Sequence, residues 1–310
     1  LTLGKTVDRK IHGTETHRYQ IALASGQYLR LEVGQFGINL ATTVLSPRGK
    51  TLVVDGNWYG NDDPEPLSIS FMAPYDGIFQ IQVQPRSPKS FPGHYRLSVA
   101  ELREVRREDA TRINAERTIA EGKKLRDKGD AKSEQQASAK YHEALDLWRH
   151  IGARKEEAAC LQSIAVMYFI LDDYPDAINY ANQALLAWRA LHDLPGESQA
   201  LNDLGVFYSK LGDYRTAIDY QIHALALRRT LNNNFALGES LGNLATDYSN
   251  VGDFQKALIA YQEASGVNQA AGNWPTEGVN FINLGNIYGR LGQPEKAIVS
   301  YRHALSISEC

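Results

Sequence analysis

The sequence predicts an α and β multidomain chain: an N-terminal antiparallel β-sandwich, jelly-roll-like, followed by an all-α solenoid of helical hairpins. Three observations predict it. Short apolar or alternating runs separated by turn residues fill the first hundred residues. After Glu101 the chain becomes dense in both charge signs, and no Gly or Pro occurs before Gly122. From Leu161 to Cys310 the same residue classes return every 40 positions without a gap, which is the mark of stacked repeats.

The β runs come in order. An outer run lies near Thr6 to Ile11. Tyr19, Ile21 and Leu23 alternate, and Ser25-Gly26 turns the chain. Tyr28 to Val33 and Ile38 to Leu45 follow, closed by Pro47-Arg48-Gly49. Thr51 to Val54, Leu67 to Met72, Ile78 to Val83 and Tyr95 to Ala100 complete the set. Eight short strands in about 100 residues suggest two packed sheets. Proline fixes φ and glycine supplies positive φ in Ser46-Pro47-Arg48-Gly49, and Ala73-Pro74-Tyr75-Asp76-Gly77 does the same before the next strand.

Those turns, with Tyr19-Gln20-Ile21-Ala22-Leu23, Gly26, Asp76-Gly77-Ile78-Phe79 and Gly93-His94-Tyr95-Arg96-Leu97, resemble the bacterial pre-peptidase C-terminal (PPC) domain over about residues 5 to 102. The resemblance implies a small β-sandwich and an extracytoplasmic setting, periplasmic or secreted. The loop Asp55 to Glu65 is acidic, and clustered oxygens suit calcium. The EF-hand spacing fails, because position 12 counted from Asp55 is Pro66 rather than Glu, so a solvated loop is favoured. Trp58 and Tyr59 in the same loop suit either stacking on a sugar or peptide, or packing on their own sandwich.

Glu101 to Lys128 reads as a helix with a solvated, mixed-charge face. After Gly129-Asp130, Gln135 to His150 carries Ala137, Tyr141, Ala144 and Trp148, each 40 residues before Ala177, Ala181, Ala184 and Trp188. A degenerate first repeat therefore lies here, although Lys124 breaks the pattern of Ile164, Leu204, Leu244 and Leu284. An atypical first unit is expected of a capped stack. The expected domains are 1–103, 104–153 and 154–310.

Each repeat holds two helical faces. Leu201, Leu204, Gly205 and Tyr208 recur at three- and four-residue steps, Leu211-Gly212-Asp213-Tyr214 turns, and Ala217, Gln221, Ala224 and Leu227 form the second face. Gly205 and Ala217 let the pair approach closely. Pro195 and Pro275 fit the first turn of a helix, and Gly272 and Asn232 fit the left-handed residue that ends one. This pattern, Leu-Gly-x-x-Tyr, Gly-Asp-Tyr and an Ala ladder, resembles the tetratricopeptide repeat (TPR) across residues 154 to 310. The period exceeds the usual 34 residues, as in the long-helix subclass of kinesin light chains. HEAT or armadillo repeats are the alternative, but lack the turn and the ladder.

The resemblance implies a right-handed superhelix whose first helices line a concave face that binds peptides or partner segments. The residue before the recurring Leu is Ser163, Asp203, Asn243 and Asn283, with Asn202 beside Asp203. Two after it come Val166, Val206, Thr246 and Asn286, and six after it Ile170, Lys210, Asn250 and Arg290. The groove candidates are Asn202, Asp203, Val206, Lys210, Asn243, Thr246, Asn250, Asn283, Asn286 and Arg290. Asn243 and Asn283 each offer a donor and an acceptor to the backbone of an extended ligand, or else bond neighbouring helices. The paired lysines of chaperone-tail clamps are absent, so a free C-terminal carboxylate is not indicated.

Chemistry is sparse elsewhere. The eight histidines form no zinc spacing, and no phosphate loop or nucleophile elbow occurs. No cofactor, metal or enzymatic activity is expected of these residues. Net charge is −3, which gives no basic field for nucleic acid. There is no apolar run near 18 residues to span a membrane. Of two cysteines, Cys160 reads as a small buried thiol on a packed helix. No signal peptide is visible, and a start at Leu1 leaves a removed leader open. The fourth repeat, from Trp274 to Cys310, has 37 residues, three short of a period. The expectation is a fragment followed by more repeats or another domain. A PPC-like sandwich before long TPRs is similar to the front half of bacterial CHAT proteins, whose C-terminal domain resembles caspase-like peptidases. The expected partner is a protein or peptide, from another chain or from this chain's own downstream domain. The alternative is a surface- or carbohydrate-targeting sandwich with the repeats as spacer.

Overall fold

The structure is a computed structural model that describes residues 1–36, 38–54, 67–87 and 92–308. The loop bearing Trp58, Tyr59 and the acidic cluster lies outside the described residues. The chain forms two compact units, residues 1–163 and 164–310.

In the first unit, eight strands among the described residues are β1 (Thr6–Ile11), β2 (His17–Leu23), β3 (Gln27–Phe36), β4 (Leu40–Leu45), β5 (Thr51–Val54), β6 (Leu67–Met72), β7 (Gly77–Pro85) and β8 (Gly93–Glu104). Pairing is antiparallel and nested: β1 with β8, β2 with β7, β3 with β6, β4 with β5. Rolling that long hairpin gives two sheets, β1-β8-β3-β6 and β2-β7-β4-β5, the interleaved order of a jelly roll. Alternation sets the core. Leu29, Leu31 and Val33 of β3 point in while Arg30 and Glu32 lie between them, and Phe79, Ile81 and Val83 of β7 meet them from the second sheet.

The structure corrects the expected helix over Glu101 to Lys128. β3 is ten residues long, and its first four residues require partners. β8 supplies them, with Gln27 opposite Glu104 and Tyr28 opposite Arg103. The helix α1 begins only at Asp109 and ends at Arg126, and α2 spans Ala131–His150. Nor is the charge of α1 all solvated. Glu116 is buried against β6, where it accepts from Ser70 N and Ser70 Oγ, each at 2.8 Å. Tyr28 donates to the same Ser70 hydroxyl at 2.8 Å. Arg103 donates to the buried Asp109 carboxylate through two nitrogens, at 2.7 and 2.9 Å, and Arg112 pairs with Glu156. The buried Cys160 Sγ contacts the Tyr141 carbonyl at 3.2 Å, and burial pushes its thiol pKa well up.

Helix α3 (Arg154–Ile170) ends in the second unit, followed by α4 (Tyr174–Ala190), α5 (Leu194–Leu211), α6 (Tyr214–Thr230), α7 (Asn234–Asn250), α8 (Phe254–Ala271), α9 (Trp274–Arg290) and α10 (Pro294–Ser308). The connections, two or three residues long, are built by two adjacent residues. The first takes positive φ and ends one helix: Asp172, His192, Asn232, Gly212, Gly252, Gly272 and Gly292 all do so. The second caps the next helix. Asp173, Asp193, Asp213, Asn233 and Asp253 each accept from the backbone N–H three residues on. Prolines sit in the first turns of α5 and α9. Gly205 meets Gln221 of the paired helix, and a Cβ there would lie 2.5 Å from its amide nitrogen. The space beside the pair is filled by Tyr208 stacked on Tyr220, centroids 5.5 Å apart.

Candidate functional site

The first helices α5, α7 and α9 carry the polar rows, and the second helices decide which members stay open. At α9, Gly285 lets the ring of Tyr301 from α10 lie flat on the helix; a Cβ there would come 2.4 Å from the ring. The Tyr301 hydroxyl then donates to Asn286 Oδ1 at 2.8 Å. One repeat earlier, Tyr261 of α8 reaches Thr246 Oγ1 at 2.7 Å. Thr246 spends its own proton on the Gly242 carbonyl at 2.9 Å, so Tyr261 is the donor in that pair. Burial raises the Tyr261 pKa, and hydrogen bonds with Thr246 and Asn283 partly oppose it.

These contacts frame a cavity of about 600 Å³ between α7 and α9. Five of the ten residues expected from the sequence line it: Thr246, Asn250, Asn283, Asn286 and Arg290. Arg290 is its one charged lining residue, and no carboxylate lines it. The sequence reading passed over Tyr261 and Tyr301, which also line it. The signal was present, since their repeat position holds Ala181 and Gln221 in the two preceding copies.

The other five do not join this cavity. Asn202 and Asp203 are buried. Asn202 Oδ1 accepts from Ser240 Oγ at 2.9 Å, from Arg228 at 3.3 Å and from Asn243 Nδ2 at 3.4 Å. Asp203 accepts from Gln199 at 2.9 Å. Asn202 is therefore buried among neighbouring helices and not in an open groove, and half-buried Asn243 bonds a neighbouring helix, the other role its amide suited. The cause is Arg228. It is 1% exposed and stands where α2 and α4 have Trp148 and Trp188, so α5 and α7 must supply acceptors: Gln199, Asn202, Ser240 and the Ala236 carbonyl. Val206 is half-buried and Lys210 exposed, both outside the cavity.

Two other clefts offer less. One of about 260 Å³ between α6 and α8 has apolar walls, including Ile222, Leu225 and Ile259, and its Arg229 is already paired with Glu263 at 2.6 Å. One of about 410 Å³ in the first unit borders Glu116, whose oxygens are taken by Ser70. Among the described residues no cluster of three His, Cys, Asp or Glu suits a metal ion, and no helix is long and apolar enough to cross a membrane.

Residues 157–230, 196–270 and 236–309 each match the tetratricopeptide repeat family. No curated protein matches the sequence. Among solved structures, the fold is similar to aspartyl phosphate phosphatase F from Bacillus subtilis (16% identity, TM-score 0.59, 65% of this chain and 52% of that one). It is also similar to a Rap protein complexed with Competence and Sporulation Factor (18% identity, TM-score 0.54, 64% and 54%). A Podosopora anserina putative kinesin light chain with nearly identical TPR-like repeats matches at 14% identity and TM-score 0.52, over 62% of this chain and 95% of that one. The chain spans about half the length of the first two. Identities this low speak for the fold alone.

Proposed function

With residues 157–309 identified as tetratricopeptide repeats, we propose that the chain is a protein-interaction scaffold whose α7–α9 cavity holds an extended segment of a partner polypeptide. One observation carries the reading: polar side chains from four successive helices converge on one cavity and keep hydrogen-bonding capacity to spare. Asn286 gives its oxygen to Tyr301 and keeps two N–H donors. Asn283 and Asn250 add amides on either side. A peptide backbone presents alternating N–H and C=O groups, and primary amides satisfy both. The cleft between α6 and α8 lacks this spare capacity. A relative of similar fold was solved in complex with a factor, which supports ligand holding by such an array.

The jelly-roll strand order supports the PPC resemblance of the first unit. On that reading the chain is the recruiting or regulatory part of a larger bacterial protein, of the kind in which a caspase-like peptidase domain follows. It is not itself the enzyme.

The test is a peptide selected by display against the full chain, titrated by fluorescence anisotropy. Asn283→Ala/Asn286→Ala should weaken it at least tenfold at unchanged helicity, while Ile259→Ser in the α6–α8 cleft should leave it unchanged. Equal affinity in all three proteins would remove the cavity from the account.

A further inference from the structure

The reading above leaves the partner's chemistry open, and the cavity's charges restrict it. Asn283, Asn286 and Arg290 stand at i, i+3 and i+7 of α9, one face of a helix. Arg290 lies in the last turn, where the helix dipole favours a cation. Its guanidinium lies 5.7 Å from the centroid of the Phe254 ring. Neither contact uses its N–H donors, and among the described residues it makes no ion pair. Arg215 and Arg302 of this unit also show no ion pair among those residues, but they do not line the cavity; three other arginines are taken up by partners. Arg189 pairs with Glu197 at 2.7 Å, Arg229 with Glu263 at 2.6 Å, and Arg228 is enclosed by acceptors. Two buried acids lie on the helices that flank the cavity, and neither lines it: Asp247 of α7 accepts from Ser209, and Glu277 is in the first turn of α9, at the other end of the helix from Arg290. A cavity with one uncompensated cation, several amide and hydroxyl groups and no lining carboxylate is complementary to an anion.

Spacing narrows this further. At ~1.5 Å per residue, Arg290 lies about 6 Å along α9 from Asn286. An extended chain rises ~3.3 Å per residue and repeats its side-chain direction every second residue. A backbone held at Asn286 therefore brings its side chain two residues on to Arg290.

Resting on the cavity reading, we propose that the bound segment is acidic, with an aspartate or glutamate side chain about two residues from the peptide unit held by Asn286 and paired with Arg290. The backbone contacts hold any extended chain, and Arg290 selects among them.

An immobilised array of dodecapeptides, randomised at every position, acetylated and amidated so that no terminal carboxylate remains, tests this with the full chain as probe. The captured set should be enriched in Asp and Glu, and the enrichment should vanish with Arg290→Gln while capture persists. For one captured peptide, replacing its acid by the amide should weaken binding about tenfold, the scale of a charge-assisted hydrogen bond. The same replacement should have little effect against Arg290→Gln. Captured peptides with no acidic bias, or a bias unchanged by Arg290→Gln, would overturn the inference and leave the cavity reading standing. An array on which nothing is captured would overturn both.

Discussion

Glu116 carries a protonation equilibrium that charge counting hides. Burial pushes its carboxyl from the ordinary 4.5 up to about 7, against the opposing hydrogen bonds of Ser70 and the charges of Arg30 and Arg112. The folded pKa lies above the unfolded one, so the folded chain holds an extra proton between them. The associated stability is complete below about 4.5 and is lost as pH rises through about 7. A shift of that size corresponds to about 3 kcal/mol. Glu116→Gln keeps an acceptor for Ser70 N and cannot ionise, so urea unfolding at pH 5 to 8 should show a shallower loss of stability than the parent; equal slopes would contradict it. Arg228 makes a second claim at this scale. Arg228→Ala takes the donor from Gln199 Oε1 and the Ala236 carbonyl and empties a buried site, and should cost on the order of 3 kcal/mol in urea unfolding. A loss under 1 kcal/mol would mean that the network adds little.

The elements are legible in the sequence to different degrees. The eight strands and the helix pairs from α3 onward follow from periodicity, because one face of each is buried and the turn chemistry repeats: an αL residue, then an Asp or Asn cap. Thr216 N and Oγ1 both donate to Asp213, so Asp213→Ala should destabilise by about 1 kcal/mol, readable as a shifted urea midpoint at unchanged slope. The first hairpin was harder to read. In α1–α2 the small residue facing the ring is Gly122, 19 positions before Tyr141, whereas Gly285 precedes Tyr301 by 16. The three-residue offset breaks a 40-residue register, which is why Lys124 looks wrong by the repeat rule and is in fact exposed. The strand at Glu101–Glu104 was hidden for another reason. Its residues are charged and helix-tolerant, and only the length of β3 requires them to pair. The site was half legible. A repeat rule assigns rows to one helix face, but Asn202 and Asn243 were diverted by Arg228, a residue on another helix that periodicity does not relate to them.

At the scale of the molecule, the chain joins a closed-in sandwich fold to a repeat array whose units differ where function is placed. Repeat stability is a sum over neighbouring pairs, so each copy can change its inner residues provided that its partner helices adapt. Trp188, Arg228 and Asn268 show this at one buried position. Tyr261 and Tyr301, where the two preceding copies have Ala181 and Gln221, turn the α7–α9 face into the cavity on which the functional account rests. Photo-crosslinking locates a bound peptide directly. Gly289 lines the cavity and has open space where a side chain would project, so it accepts a benzophenone amino acid, and exposed Ile259 serves as the matched position on the α6–α8 cleft. The account predicts that a display-selected peptide crosslinks through position 289 and not through 259. Crosslinking through 259 alone, with none at 289, would place the partner on the other face and contradict it.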